Sequence, residues 1–157
     1  MLNFDKFSRF SDDARVWVYP SNRPFEDAEV DQIKSDLASF TEEWAAHGNK
    51  LYASADVISP HFIVFVVQDD QTLPSGCSID SSVHFVKSIQ TKYNVDFFDR
   101  LHVYISSDAT IQKIHISELS ERDGATKIFD TLISRLGELR NDWPKALAQS
   151  NYAKLFS

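Results

Sequence analysis

The spacing of apolar residues along this chain switches between alternation, typical of strands, and intervals of three and four, typical of helices. A run of β-branched and aromatic residues at 15–19, closed by Pro20, predicts the first strand. The helical intervals then predict a helix over residues 26–46. His47-Gly48 would end that helix, since glycine suits the left-handed position after a helix.

The middle of the chain continues with further strands and a second helix. Two strands are predicted at 51–58 and 62–68, the second of them apolar at almost every position. A second helix starts at residue 77 or 78 and ends near Tyr93, and a further strand pair follows at 101–106 and 111–116.

The segment after Ser117 has an apolar stripe at helical spacing, so we expect it to be mainly helical. The stripe consists of Ile128, Leu132, Leu136, Leu139 and Trp143.

The first six elements have the order β-α-β-β-α-β, which predicts an α+β protein with a ferredoxin-like core. The strand at 111–116 would be an addition to that core, and residues 1–157 would form one domain. The two helices can cover only one face of the sheet. The other face would then carry aromatic side chains, and an apolar patch of that size needs a cover. Trp17, Tyr19, His102, Tyr104 and half of residues 62–67 would lie on this face.

Three covers for this face are open: the C-terminal segment, a second copy of the chain, or a ligand or partner. We favour a C-terminal helical segment that packs on the sheet, because about forty residues with an apolar stripe remain for it.

The charge and cysteine content narrow the function classes. The chain has 157 residues, 16 Lys and Arg against 23 Asp and Glu, and a net charge of −7. An acidic balance argues against nucleic acid as a partner. One cysteine excludes an internal disulfide and a multi-thiolate zinc site. No export signal and no apolar run of membrane-spanning length is visible, so we expect a cytoplasmic protein without a membrane partner.

The residues before the second predicted helix are the first candidate site. Ser75, Gly76, Cys77 and Ser78 lie where a helix start offers unpaired N–H groups and a partial positive charge. Such groups lower the pKa of a thiol, or hold the carboxylate or phosphate of a ligand. Serine is also an ordinary capping residue, and we favour that structural explanation.

Histidines and one arginine supply the remaining candidates. His47 and His102 are the candidate bases for a Cys77 nucleophile. Arg100, with Asp99 beside it, and Trp17 are candidate ligand-binding residues, although a local Asp99–Arg100 ion pair is the simpler expectation. The histidines are scattered singly, so we expect neither a metal site nor a cofactor.

The segment Gly76-Cys77-Ser78-Ile79-Asp80 resembles the hallmark of a small, uncharacterised bacterial family of about this length. The segments 15–19, 44–48, 98–100 and 150–152 carry the same resemblance, which spans nearly the whole chain. It implies one shared fold. Some members carry an automatic label of ABC-transporter ATPase, but this chain has no G-x-x-x-x-G-K-[ST] motif for a nucleoside triphosphate.

Three functional hypotheses follow from the sequence. The leading one is a small binding module for an anionic ligand or a protein, with its site near the start of the second helix. The second is a cysteine-dependent enzyme that uses Cys77. The third is a homodimer built on the open sheet face.

Overall fold

A computed structural model describes residues 2–69 and 72–155 of the chain. These residues form a mixed α/β structure with antiparallel sheets. The strands are β1 Arg15–Pro20, β2 Ala45–Ala46, β3 Asn49–Lys50, β4 Tyr52–Ile58, β5 Phe62–Gln68, β6 His102–Ser107, β7 Thr110–His115, β8 Lys127–Ile128 and β9 Lys145–Ala146; the α-helices are α1 Asp27–Glu43, α2 Gly76–Tyr93 and α3 Leu136–Asn141.

The first sheet has the strand order β1-β5-β4, with both pairs antiparallel. Strand β5, buried at every position except Gln68, lies in the centre because its apolar side chains meet a core on both faces. On one face, Phe65 packs with Ile33 and Leu37 of α1 and with Val86 of α2. The two predicted central helices and all three of these strands are therefore confirmed.

The ferredoxin-like topology is not confirmed, because β6 does not join this sheet. It pairs instead with β7 and β8 in a second sheet of order β7-β6-β8-β9. The outer edge of β1 receives a short C-terminal stretch in its place. The N–H of Val16 donates to the carbonyl oxygen of Ser134 at 3.1 Å, and the N–H of Leu136 donates to that of Ala14 at 2.8 Å.

The second face of the first sheet is covered from within the chain, as favoured from the sequence. Phe129 and Trp143 of the C-terminal segment and Phe7 of the N-terminal segment pack there against Phe62 and Val64. Tyr104 joins this core as expected.

The prediction that the Trp17 and Tyr19 side chains of β1 lie on the sheet face away from the helices was wrong. The side chains of Trp17 and Tyr19 pack on the helix side, whereas Val16 and Val18 point into the second core.

Helix α1 ends earlier than predicted, at Glu43. Trp44 has an extended backbone, and its buried indole N–H donates to the carbonyl oxygen of Ser78 at 2.8 Å, so the chain leaves the helix to reach α2. His47 and Gly48, both with positive φ, form the turn of the β2-β3 hairpin rather than the end of the helix.

The C-terminal third is not mainly helical, contrary to the prediction. Its only α-helix among the described residues is the short α3, with short segments of 3-10 helix and two short strands around it. The stripe residues are buried except Leu132, which is 58% exposed. Backbone bonds to distant strands replace helical ones: the N–H of Phe129, for example, donates to the carbonyl oxygen of Tyr104.

An ion pair joins the start of α1 to the end of α2. Arg23 donates two hydrogen bonds to the Glu29 carboxylate, at 2.9 and 3.0 Å, and a third to the carbonyl oxygen of Tyr93 at 2.7 Å. The Arg23 guanidinium, with the N–H of Glu26, lowers the pKa of Glu29 from 4.5 to about 2 against the opposing effect of burial.

The Glu29 carboxylate should make stability depend on pH. Because the pKa of Glu29 is lower in the folded than in the unfolded state, its carboxylate stabilises the fold at pH values above the unfolded pKa. This stabilisation is lost as the pH falls from 4.5 toward 2. We expect Glu29→Gln to lower the free energy of unfolding by about 1 kcal/mol at pH 7, since the pair is partly exposed. The loss should shrink in urea titrations at pH 3. An effect that is equal at both pH values would contradict this assignment.

Candidate functional site

A cleft of about 670 Å³ lies along the outer edge of β1, between the two sheets. Its volume is within the usual range for ligand pockets. The walls come from β1, from the segment before and into β6, from residues 131–133 and from residues 151–155. Side chains that line it include Trp17, Phe98, Arg100, His102, Leu132 and Leu155.

The rim of this cleft is unusually apolar for a surface. Leu132 is 58% exposed, Leu155 44% and Phe98 36%, which makes them three of the six large apolar side chains that the described residues expose. Leu101, also exposed, is adjacent in sequence to two lining residues. Exposed apolar side chains that gather at one concave surface are typical of a binding site.

A carboxylate–imidazole pair forms the polar end of the cleft. Nδ1 of His102 lies 2.7 Å from Oδ2 of Asp99, and the N–H of Leu101 donates to Oδ1 at 2.8 Å. Burial alone would raise the pKa of Asp99, but the hydrogen bonds from Leu101 and His102 and the charge of Lys113 together lower it. The carboxylate therefore stays ionised and holds the His102 ring in place.

Arg100 is exposed at the same end, beside this pair. The predicted Asp99–Arg100 ion pair is not formed, since Asp99 bonds His102, and Arg100 has no ion pair with any other residue in the ranges 2–69 and 72–155. An arginine left in this state offers a planar fork of donors to a carboxylate or phosphate.

Three sequence-predicted residues thus meet in this cleft: Trp17, Arg100 and His102. Trp17 holds its position through an edge contact with Trp44 at 6.2 Å and through the guanidinium of Arg15 at 4.9 Å. The other predicted residues lie elsewhere.

The start of α2 uses its serines for capping, as favoured from the sequence. The N–H of Ser78 donates to Oγ of Ser75 at 3.1 Å, and the N–H of Ser75 donates to Oγ of Ser78 at 2.6 Å. Ser78 is 2% exposed, and its carbonyl oxygen also accepts from Trp44. Gly76 is exposed, and no atom outside its chain neighbours and its own helical turn lies within 4 Å of where a Cβ would lie. The cap accounts for both serines, and a ligand site at this helix start stays a prediction.

Cys77 is exposed, and its sulfur has no hydrogen-bond partner among the described residues. His47 lies in the β2-β3 turn, and His102 is bonded to Asp99. The enzyme hypothesis therefore stays a prediction without an assembled nucleophile–base pair.

The exposure of Cys77 gives a direct test of this region. We expect iodoacetamide to alkylate Cys77 in the folded protein at nearly the rate seen in urea, because the side chain is already accessible. Mass spectrometry of the native protein over time measures the rate. A thiol that reacts only after unfolding would contradict the described position of α2.

Some residues of the cleft were missed from the sequence. From the sequence, Asp99 was considered for an ion pair with Arg100 but not as the partner of His102. Asp99 comes three residues before His102, just ahead of a predicted strand, and this spacing could have indicated the pair. The exposed Phe98, Leu132 and Leu155 gave no such signal, because their exposure depends on the path of the C-terminal segment.

A second cavity, of about 560 Å³, lies at the β4 side of the first sheet. Lys6, Arg9 and Lys50 line it, and Arg9 is engaged with the carbonyl oxygen of Ala53 and the ring of Tyr52. It contains none of the residues singled out from the sequence.

Comparison with known proteins leaves the cleft as the main guide to function. No protein-family model, no curated protein and no solved structure matches the chain. Among the described residues, no helix has the length and apolar character to cross a membrane. The same residues contain no group of three or more His, Cys, Asp or Glu side chains arranged to hold a metal ion.

Proposed function

We propose that this chain is a small cytoplasmic binding module whose ligand or protein partner occupies the cleft beside β1. The convergence of exposed apolar side chains with an arginine and an oriented histidine carries the proposal. The proposed site is away from the start of α2, where the Ser75 and Ser78 side chains already form the helix cap.

The charges of the cleft favour an anionic ligand. Arg100 lines it without an ion pair in the ranges 2–69 and 72–155, whereas the Asp99 carboxylate is already bonded to His102. The molecule as a whole carries −7, so an arginine without an ion-pair partner among these residues is a local exception to the overall charge. Apolar walls with a few placed polar groups are the usual composition of a ligand pocket.

A screen of organic anions tests the proposal. Carboxylates and phosphates with an apolar body should raise Tm by about 2–4 °C at concentrations well above their Kd. They should also shift the amide resonances of Trp17, Phe98 and Leu132. Leu132→Asp should abolish these effects.

The matched control for this screen is Leu73→Asp, which puts the same charge at a leucine that is 68% exposed and outside the cleft. Leu73→Asp should leave binding unchanged. If the compounds bind but shift only the amide resonances of residues at the start of α2, the site is the one predicted from the sequence and not the cleft. If the screen finds no stabilising compound and no bound partner, the proposal is wrong.

A further inference from the structure

We infer that the partner in the cleft is an extended, acidic segment of another protein, which adds to β1 as a further strand. This inference rests on the proposed function of the cleft as a binding site. It goes beyond that proposal by naming the class of partner and the backbone atoms that hold it.

The open edge of β1 is the first observation. The N–H of Val16 points away from β5, because it donates to the carbonyl oxygen of Ser134. Successive residues of a strand alternate in this direction, so the N–H and C=O of Val18 also point away from β5 and toward the cleft. Neither group has a hydrogen-bond partner on that side among the residues that the structure describes.

Strand β4, on the other side of β5, leads to the same conclusion about which backbone groups of β1 point toward the cleft. Ala53 of β4 presents its carbonyl oxygen outward to Arg9, and Ala53 pairs with Val67 of β5. Val67 must then bond toward β1, where its partner is Arg15. The backbone N–H and C=O groups of residues 15, 17 and 19 therefore point toward β5. Those backbone groups of the even-numbered residues of β1 point toward the cleft.

The open stretch has defined ends. At its start, residues 134–136 already bond to Ala14 and Val16. At its end, Pro20 has no N–H, and the next N–H, of Ser21, donates to the carbonyl oxygen of His61 at 2.7 Å. The open edge from Val16 to Pro20 is about 13 Å long at the usual rise of a strand, which suits a segment of about four or five residues.

The side chains around this edge favour acidic and apolar residues in the segment. Leu132 and Phe98 offer apolar contact, and Arg100, which forms no ion pair with the described residues, offers positive charge. Added strands of this kind gain affinity from main-chain bonds and specificity from pockets for alternate side chains.

A second copy of the chain fits this edge less well. A symmetric β1–β1 contact would place the same patch of each molecule together, so that the two Arg100 side chains would meet across the axis. This contact repels a second copy, whereas the same arginine attracts an acidic side chain of another protein.

The test begins with a library of randomised seven-residue peptides, displayed and selected on the folded protein. We expect the selected peptides to alternate acidic with β-branched or aromatic residues. Arg100→Glu should weaken their binding about tenfold. Lys50→Glu, the same change at an exposed lysine outside the cleft, should leave it unchanged.

Amide hydrogen exchange then distinguishes strand addition from other modes. In the free protein, the amide of Val18 should exchange faster than those of Trp17 and Tyr19, which pair with β5. A bound peptide should slow Val18 about tenfold or more, because it accepts that hydrogen bond. Peptides that bind without slowing Val18 would overturn the inference.

The remaining outcomes separate this inference from the proposed function. If no peptide is selected while organic anions still shift the cleft resonances, the inference fails and the proposed function stands. If neither binds, both fail. If light scattering finds a dimer in which Val18 is protected until dilution, the occupant is a second copy and the inference is wrong.

Discussion

Asp130→Ala should lower the free energy of unfolding by about 3 kcal/mol. The Asp130 side chain has no exposed surface. Its carboxylate accepts from the N–H of Leu132 at 2.9 Å and from the backbone N–H and side-chain amide of Asn151 at 2.8 and 3.0 Å. All three bonds are part-buried, and a donor that is left without a partner away from water costs about 1–3 kcal/mol. The substitution removes the acceptor that joins two distant turns of the C-terminal segment.

Urea titration at pH 7 measures this loss, and Asp123→Ala is its control. Oδ1 of Asp123 accepts from the N–H of Ala125 at 2.8 Å, the same local turn bond, but Asp123 is exposed. We expect the control to cost less than about 1 kcal/mol, since water replaces the lost acceptor. Asp130→Asn should fall between the two, because the amide keeps one acceptor oxygen. Equal losses at positions 130 and 123 would show that burial adds nothing at Asp130.

Phe62→Ala should have an effect of about 3–5 kcal/mol, the range for a large buried aromatic residue. Phe62 has no exposed surface, and its ring lies 4.9 Å from that of Trp143, 5.5 Å from Tyr104 and 5.6 Å from Phe129 between centroids. These residues come from both sheets and from the C-terminal segment, so the cavity opens where all three parts meet.

Denaturant unfolding with tryptophan fluorescence measures the Phe62→Ala loss, since Trp143 packs on the deleted ring. Phe98→Ala is the control, because Phe98 is 36% exposed and lies outside this core. We expect the control to cost about 1 kcal/mol or less. A Phe62→Ala protein with nearly unchanged stability would mean that the second face of the sheet is loosely packed.

The sequence pattern was sufficient to predict an element where that element is determined by its own residues. Residues 62–68 are apolar on both faces and form the central strand, and the stripe that begins at Ile79 marks α2. The prediction failed where the decisive partner is distant. Leu136 has helical spacing from its neighbours in the stripe, yet its N–H bonds to Ala14. No local period contains that information.

The candidate site shows the same division. Arg100 and His102 were singled out for their chemistry, and their short separation keeps them together in any fold. Trp17 joins them only because residues 134–136, rather than β6, occupy the start of the β1 edge. Cys77 drew attention for its place before a helix, but the serines on either side of it are used by the cap.

The cover of β5 by residues 129–143 has a consequence for the order in which the protein is made. While the ribosome has released only β1 to β5 and the two central helices, the face with Phe62, Val64 and Val66 has no C-terminal cover. The nascent chain therefore keeps an open apolar surface until residues 129–143 have been synthesised. Such intermediates aggregate or recruit chaperones. Chains that terminate before Trp143 should be degraded or retained by chaperones, because no later residue can close that face.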